Sequence, residues 1–356
     1  MTAMRSIRRV KVLIIDDSLV FRETIARGVA QDPGIEVVGT AGDVFEARDM
    51  IIERSPDVLT LDVEMPGMNG IEFLKKLMPQ YPLPVVVVSA VSGNVFDALN
   101  AGAVDFVTKP AGGNNTGLPA FLNDLAVKLK IASMARVGHY KKDFYYDSVT
   151  ARADDSSRNT VIAIGASTGG TEAINRLVGA FPGDMNGIVI VQHMPPVFTR
   201  MYAERLNKTC RMEVKEAEDG DRVGPGRALI APGEYHMKLC RGGDGYYVKC
   251  FRGEKVSGHC PSIDVLFDSA AASAGSGAIG ILLTGMGSDG AKGLLTMKKQ
   301  GAYTIGQDEK TCVVYGMPMV AFNIGAVMKQ APLEMIPGIV SDYLAGRLSP
   351  YKRKGD

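Results

Sequence analysis

Tryptophan is absent from the 356 residues, and only 7% of the chain is aromatic. Cysteine is scarce and its spacing is uninformative. Cys210, Cys240, Cys250, Cys260 and Cys312 are odd in number and contain no CxxC, so neither a disulfide framework nor a thiolate zinc site is supported. A reducing compartment, the cytoplasm, is the expected home. No stretch approaches the ~20 apolar residues of a membrane helix, so the chain is not expected to be membrane-embedded. The first apolar run, 12–15, is too short for a secretory signal core and passes directly into Asp16-Asp17. Neither sign of charge is in excess. Forty Lys+Arg oppose 39 Asp+Glu, a net +1, which argues against a general nucleic-acid or membrane-surface binder and leaves only a local patch open.

What the chain does have is 41 glycines, 46% hydrophobic residues and a length that suits two domains or three small ones. The first third alternates strand and helix patterns. Unbroken β-rich runs at 10–15, 35–40, 58–61, 85–89 and 104–108 read as strands buried on both faces. Helical patterns sit between them: a Ser18-capped helix through Ala30, then 44–54, 70–77 and 95–101, with a last one at 119–137. Such alternation predicts a parallel sheet with helices on both faces.

Residues 139–159 break the pattern. Lys141-Lys142-Asp143, the pair Tyr145-Tyr146 and the polar string 154–158 read as an interdomain linker, its aromatic group either a docking point or part of a solvated tether. From Thr160 the alternation restarts. Strands are expected at 161–164, 188–192, 279–283 and 303–307. Helices are expected from near Ser167, and at 198–206, 263–272, 289–299 and 333–344. The middle, 211–255, reads as β and turn, with runs at 212–216, 228–231 and 246–250. This predicts a second, doubly wound parallel α/β domain with a β insertion. Residues 349–356 form a polar tail.

Polar residues recur at the ends of the first set of strands: Asp16-Asp17, Asp62, Ser89 and Lys109. In an open parallel sheet the carboxyl ends of the strands share one edge, where ligands bind. Three carboxylates there repel unless a cation sits among them, and a hard divalent ion with oxygen ligands, Mg²⁺, is the natural occupant. Such a site suits phosphoryl transfer to a carboxylate, with Lys109 pairing the phosphate and the Ser89 hydroxyl donating to it.

A second constellation begins at Gly165-Ala166-Ser167-Thr168-Gly169-Gly170, after a strand and before a helix. It fails as a dinucleotide loop, because Ser167 stands where the second Gly belongs. It fails as a phosphate-binding P-loop, because Thr171 stands where Lys is required. It fits GxSxG, a nucleophile on a sharp turn with helix N–H groups behind it for an oxyanion. Alone, GxSxG is equally accounted for by a capped glycine turn. Of the four histidines, His139, His193, His236 and His259, only His193 directly ends a strand on that edge, which favours it as base. Asp289, in Thr284-Gly285-Met286-Gly287-Ser288-Asp289-Gly290, follows the next such strand. It reads either as an orienting carboxylate or as a helix N-cap. The chain order Ser, His, Asp differs from that of the α/β-hydrolases.

These motifs carry two family resemblances. Ile14-Ile15-Asp16-Asp17-Ser18, the segment Leu61-Asp62-Val63-Glu64-Met65-Pro66-Gly67 and Asp105-Phe106-Val107-Thr108-Lys109-Pro110 resemble a response-regulator receiver, a flavodoxin-like (βα)5 domain, over 8–130. The resemblance implies Asp62 as phosphoacceptor, Asp16, Asp17, Asp62 and the Glu64 backbone carbonyl around Mg²⁺, and Ser89 and Lys109 as switch hydroxyl and cation. Gln192-His193-Met194, Ala231-Pro232-Gly233, His236-Met237, the stretch 258–267, the Thr284 loop and the stretch 307–318 resemble the catalytic domain of the protein-glutamate methylesterases of bacterial chemotaxis, the CheB family, over 160–347, with 131–159 as linker. That resemblance implies Ser167 as nucleophile, His193 as base and Asp289 as orienter, with Thr168 and Met286 N–H groups as oxyanion donors and no cofactor for the esterase. It also implies chemoreceptor methyl esters as substrate, receptor glutamine deamidation, a histidine kinase as phosphodonor, and a receiver that covers the catalytic edge until Asp62 is phosphorylated. Neither the linker nor Lys352-Arg353-Lys354 is matched. Two rival readings are a noncatalytic receiver-linked binding module and a DNA-binding response regulator. The second lacks a basic C-terminal helix-turn-helix pattern.

Overall fold

A computed structural model describes residues 8–90, 94–110, 117–138 and 159–348. His139, the tyrosine pair and the basic tail fall outside the described residues. The chain divides into two units, Met1–Tyr140 and Lys141–Asp356.

In the first unit, β1 (Val10–Ile15), β2 (Ile35–Ala41), β3 (Val58–Asp62), β4 (Val85–Ser89) and β5 (Asp105–Thr108) form one sheet in the order β2-β1-β3-β4-β5. Every pairing is parallel. β3 and β4 are buried along their whole length, as unbroken apolar runs between two helical layers should be. The helices are α1 (Leu19–Val29), α2 (Val44–Arg54), α3 (Gly70–Gln80), α4 (Asn94–Asn100) and α5 (Leu118–Ala132). Their starts follow side-chain chemistry. Asp43 accepts from the N–H groups of Phe45 and Glu46, and Asn69 accepts from that of Glu72. α5 ends five residues before the expected Val137. Ser133 turns its hydroxyl back onto the Lys130 carbonyl, and such local bonding competes with helix continuation.

The second unit is built on seven parallel strands in the order β15-β14-β13-β6-β7-β10-β8. They are β6 (Val161–Ala166), β7 (Ile188–Gln192), β8 (Glu213–Glu216), β10 (Arg227–Ile230), β13 (Ala278–Leu282), β14 (Tyr303–Gln307) and β15 (Lys329–Ala331). β8 and β10 correct the sequence reading, which put them in the insertion. Ala228, Leu229 and Ile230 are fully buried and pair with Ile188, Val189 and Ile190 of β7, so this short apolar run extends the main sheet. The insertion proper is a small antiparallel sheet of β9 (Arg222–Val223), β11 (His236–Gly242) and β12 (Gly245–Phe251). β11 was not expected, because its inward residues Met237 and Leu239 give only two apolar alternations.

The helices are α6 (Gly170–Ala180), α7 (Phe198–Thr209), α8 (Ile263–Ala274), α9 (Ala291–Lys299), α10 (Met317–Asn323) and α11 (Ile336–Leu344). α8 joins the two sheets. Ile263, Leu266 and Phe267 share one core with Met237, Leu239 and Val248 of the insertion and with Val189 and Leu229 of the main sheet. Burial of each such side chain stabilises by roughly 1.5–3 kcal/mol. Two boundaries move in a way that matters for the site. β6 runs to Ala166, because Gly165 and Ala166 pair with Val191 and Gln192. α6 therefore starts at Gly170, not near Ser167. α9 starts at Ala291, not Asp289, with Gly290 as its N-cap.

Candidate functional site

The receiver-like unit gathers its polar residues as the strand-end argument predicts. Asp16 and Asp17 follow β1, Asp62 ends β3, Ser89 ends β4, and Lys109 follows β5. Carboxylate oxygens of Asp16, Asp17 and Asp62 lie within 4.8 Å of one another. The Lys109 ammonium donates to Asp16 at 2.8 Å and to Asp62 at 2.6 Å. Its own burial works against its charge, but these two carboxylates outweigh that and raise its pKa. Burial raises the Asp16 pKa despite Lys109. Glu64 contributes its N–H to Asp62 Oδ1 at 3.0 Å. The Ser89 hydroxyl is buried and has no hydrogen-bond partner among the described residues. An all-oxygen donor set with two uncompensated negative charges fits a hard divalent cation. A buried, unpartnered hydroxyl beside it fits an arriving acceptor oxygen.

In the second unit, Ser167, His193 and Asp289 follow β6, β7 and β13, which are neighbours in the sheet. Ser167 sits in the three-residue turn between β6 and α6. Gly169 closes that turn at φ 75°, and a Cβ there would lie 2.6 Å from the Val313 side chain. Gly285 lets the next loop pass close, since a Cβ there would stand 2.6 Å from Ser167 Cβ. Thr284 binds the turn in place. Its carbonyl accepts from Ser167 N–H at 3.0 Å, and its hydroxyl donates to Thr168 O at 3.0 Å. That hydroxyl also accepts from Val314 N–H at 3.0 Å.

His193 and Asp289 meet directly, with Nε2 at 2.8 Å from Oδ2. The pair is almost fully buried, at 8% and 1% side-chain exposure. Nε2 meets the carboxylate, so the buried Nδ1, which has no partner among the described residues, is the nitrogen left open towards the site. No hydrogen bond joins Ser167 to this ring among the described residues. The two are coupled through the backbone instead. His193 N–H donates to Ala166 O at 3.2 Å, and the Gln192 amide donates to Ser167 O at 3.0 Å and His193 O at 3.1 Å.

Asp289 does cap a helix, but α8 rather than its own α9. It accepts from Ile263 N–H at 2.7 Å, Asp264 N–H at 3.0 Å and the Ser262 hydroxyl at 2.8 Å. Burial works against the Asp289 charge. The hydrogen bond and charge of His193 and the two helix amides outweigh it and hold the carboxyl below its ordinary range. Thr168 is buried within the turn, while Met286 lies on the rim, 38% exposed. Its N–H is not engaged in the bonds that tie down Gly285, Gly316 and Met317. His236 is structural: its Nδ1 accepts from Ser262 N–H and its Nε2–H donates to Glu254 O. Gln192, Ser262 and Thr284 were given no role from sequence. Their polar side chains carry no signal until the three loops are brought together.

The family models agree with this division. Residues 162–340 match the CheB methylesterase model and residues 12–116 match the response regulator receiver domain model. A protein-glutamate methylesterase/protein-glutamine glutaminase of Syntrophomonas wolfei is 62% identical over 330 residues, 93% of this chain and 96% of that protein. One of Salmonella typhimurium is 48% identical over 332 residues, 92% of this chain and 95% of that protein. Among solved structures, the CheB methylesterase catalytic domain of Thermotoga maritima is 37% identical with a TM-score of 0.51, covering 52% of this chain and 98% of that one.

Proposed function

The chain belongs to the CheB methylesterase family with an N-terminal response regulator receiver domain, and from that premise we infer that it is a phosphorylation-activated protein-glutamate methylesterase and glutaminase of chemotaxis adaptation. Its substrates are glutamate methyl esters and glutamines on chemoreceptors, and its phosphodonor is a histidine kinase. We take 8–130 as receiver, 131–159 as linker and 160–347 as catalytic domain. Among the described residues no helix is long and apolar enough to cross a membrane. Together with five free cysteines, this supports work in the cytoplasm.

The observation that carries the catalytic reading is the buried His193–Asp289 pair with its unpartnered Nδ1, beside the turn that bears Ser167. Ser167 Oγ attacks the γ-carbonyl carbon of the methylated glutamate, and His193 Nδ1 takes the hydroxyl proton. Asp289 keeps Nε2 protonated and balances the imidazolium that forms. N–H groups of Thr168 and Met286 receive the oxyanion. The C–O bond to the methoxy group breaks, and His193 returns its proton to release methanol. Water then attacks the acyl-serine with His193 again as base, releasing glutamate and restoring Ser167. With glutamine the leaving group is ammonia. General acid–base help contributes about 10²–10⁴-fold, and one oxyanion donor about 2.7–4 kcal/mol. A noncatalytic anion-binding module needs a glycine turn but has no use for this oriented dyad.

In the receiver, an Asp62 oxygen attacks the phosphorus of a phosphohistidine as the P–N bond breaks. Asp16, Asp17, Asp62 and the Glu64 carbonyl would hold Mg²⁺, which supplies charge neutralisation for the approaching phosphate. Lys109 pairs with the phosphoryl oxygens and Ser89 donates to one of them. The new charge biases the receiver's packing, and this is the event to which activation of the esterase is coupled. Methanol release from methylated receptor membranes tests both roles. Ser167→Ala should abolish it with or without acetyl phosphate, and wild-type release by that variant would end the serine mechanism.

A further inference from the structure

We propose that His259 is a positioning residue for the esterase reaction, its ring laid on the face of His193 to hold the imidazole in the plane that serves both Asp289 and Ser167. This rests on His193 being the base. The two rings stack with centroids 3.7 Å apart and planes 10° from parallel.

The chain places His259 there by a tight hairpin. Val256 and His259 exchange two backbone hydrogen bonds of 3.0 Å around Ser257 and Gly258. Both turn residues have positive φ, 52° and 85°, as a two-residue turn of this hand requires. Three residues later the same segment delivers Ser262 and the α8 amides to Asp289. Ser257 also donates its hydroxyl to Asp264 at 3.2 Å. One stretch, 256–264, therefore grips the carboxylate by hydrogen bonds and its imidazole partner by a ring face.

The physical need is clear. A ring held by one hydrogen bond can still swing about that bond, and a flat neighbour removes this freedom. It also keeps water off one face of the imidazolium and offers it a π surface. A charged neighbour would do the reverse. The groups that act on His259 are His193, Asp289 and Lys255. Burial first, and then His193, bring the His259 pKa down to about 4, so the ring is neutral at working pH.

The test uses the full chain with acetyl phosphate and methylated receptor membranes, comparing His259→Ala, His259→Phe, His193→Ala and the parent. His259→Ala should lower kcat about three- to tenfold with KM unchanged, the range expected for one stacked ring pair. His259→Phe should restore kcat to within about twofold, because it keeps the ring face. It should also keep the acid limb of the pH profile where the parent has it. Parent-like kcat in the Ala variant overturns the proposal. So does a Phe variant as slow as the Ala variant, or one that loses the acid limb, since His259 would then be exchanging a proton. If the Ala variant does not fold by circular dichroism, the rate of Ser167 labelling by a fluorophosphonate in the Phe variant decides. A parent-like rate supports stacking and a collapsed rate refutes it. Methanol release that survives in His193→Ala overturns the base assignment itself, a result distinct from any failure at 259.

Discussion

The two sites stand on the same architectural ledge, the carboxyl edge of a parallel sheet, yet their carboxylates are treated in opposite ways. In the receiver, three aspartates face one lysine, two negative charges stay uncompensated, and burial raises the Asp16 pKa. In the catalytic unit, the Asp289 carboxylate is met by an imidazole, two helix amides and a hydroxyl, and its pKa is lowered. The first site leaves charge unsatisfied, which suits the ion and phosphate we propose for it. In the second the carboxylate is satisfied before substrate arrives, as electrostatic preorganisation requires, while His193 Nδ1 is left open. A switch needs the unsatisfied kind of site, and a catalyst needs the satisfied kind.

Substitutions can break this contrast, beginning with the largest effect. Ser167→Ala should remove methanol release entirely under every phosphorylation condition. Next, Asp289→Asn should lower kcat about 10²–10⁴-fold while KM changes little, because the tautomer and the imidazolium lose their support. Initial rates over a range of methylated receptor will separate the two constants. Asp62→Asn should leave the basal rate intact and abolish stimulation by acetyl phosphate. Full stimulation of that variant would place the switch elsewhere. Thr284→Val removes the hydroxyl that serves Thr168 and Val314. It should cost about 1–3 kcal/mol in denaturant unfolding of the catalytic unit and lower kcat as the Ser167 turn loosens.

The smallest effect concerns pH. His259 titrates near 6.5 when unfolded and at about 4 when folded. The unfolded chain binds more protons across that window. The neutral ring therefore contributes stability that is fully present above about pH 6.5 and lost as pH falls towards 4. His259→Phe should flatten the fall in Tm over this range by a few degrees. An unchanged Tm profile would show that another group governs it.

Much of the site was legible because Ser167, His193 and Asp289, the nucleophile, base and orienter we propose, each follow an apolar run that reads as a strand. β4, β7 and β14 coincide with their sequence patterns residue for residue. The exceptions share a cause. β8 and β10 look like turn-bounded insertion strands until β7 supplies a partner. β15 is three residues long and exists through its pairing with β14. α10 carries a proline in its first turn and is only seven residues, too short for a helical period to emerge. Asp289 could be read as the cap of the helix it precedes or as an orienter; Gly290 caps that helix, and the amides Asp289 accepts from belong to α8, 25 residues upstream.

The sequence by itself determined the local matters. It set two runs of alternating strands and helices, the glycine turn at Ser167, the acidic strand ends of the receiver and the chain order of Ser167, His193 and Asp289, because periodicity and turn chemistry act over a few residues. Only the tertiary structure decided which nitrogen of His193 faces Asp289, that α8 lends its amides to that carboxylate, and that His259 lies across the His193 ring. Those contacts join segments tens of residues apart, and their energies depend on burial and direction, which exist only once the chain has closed around them.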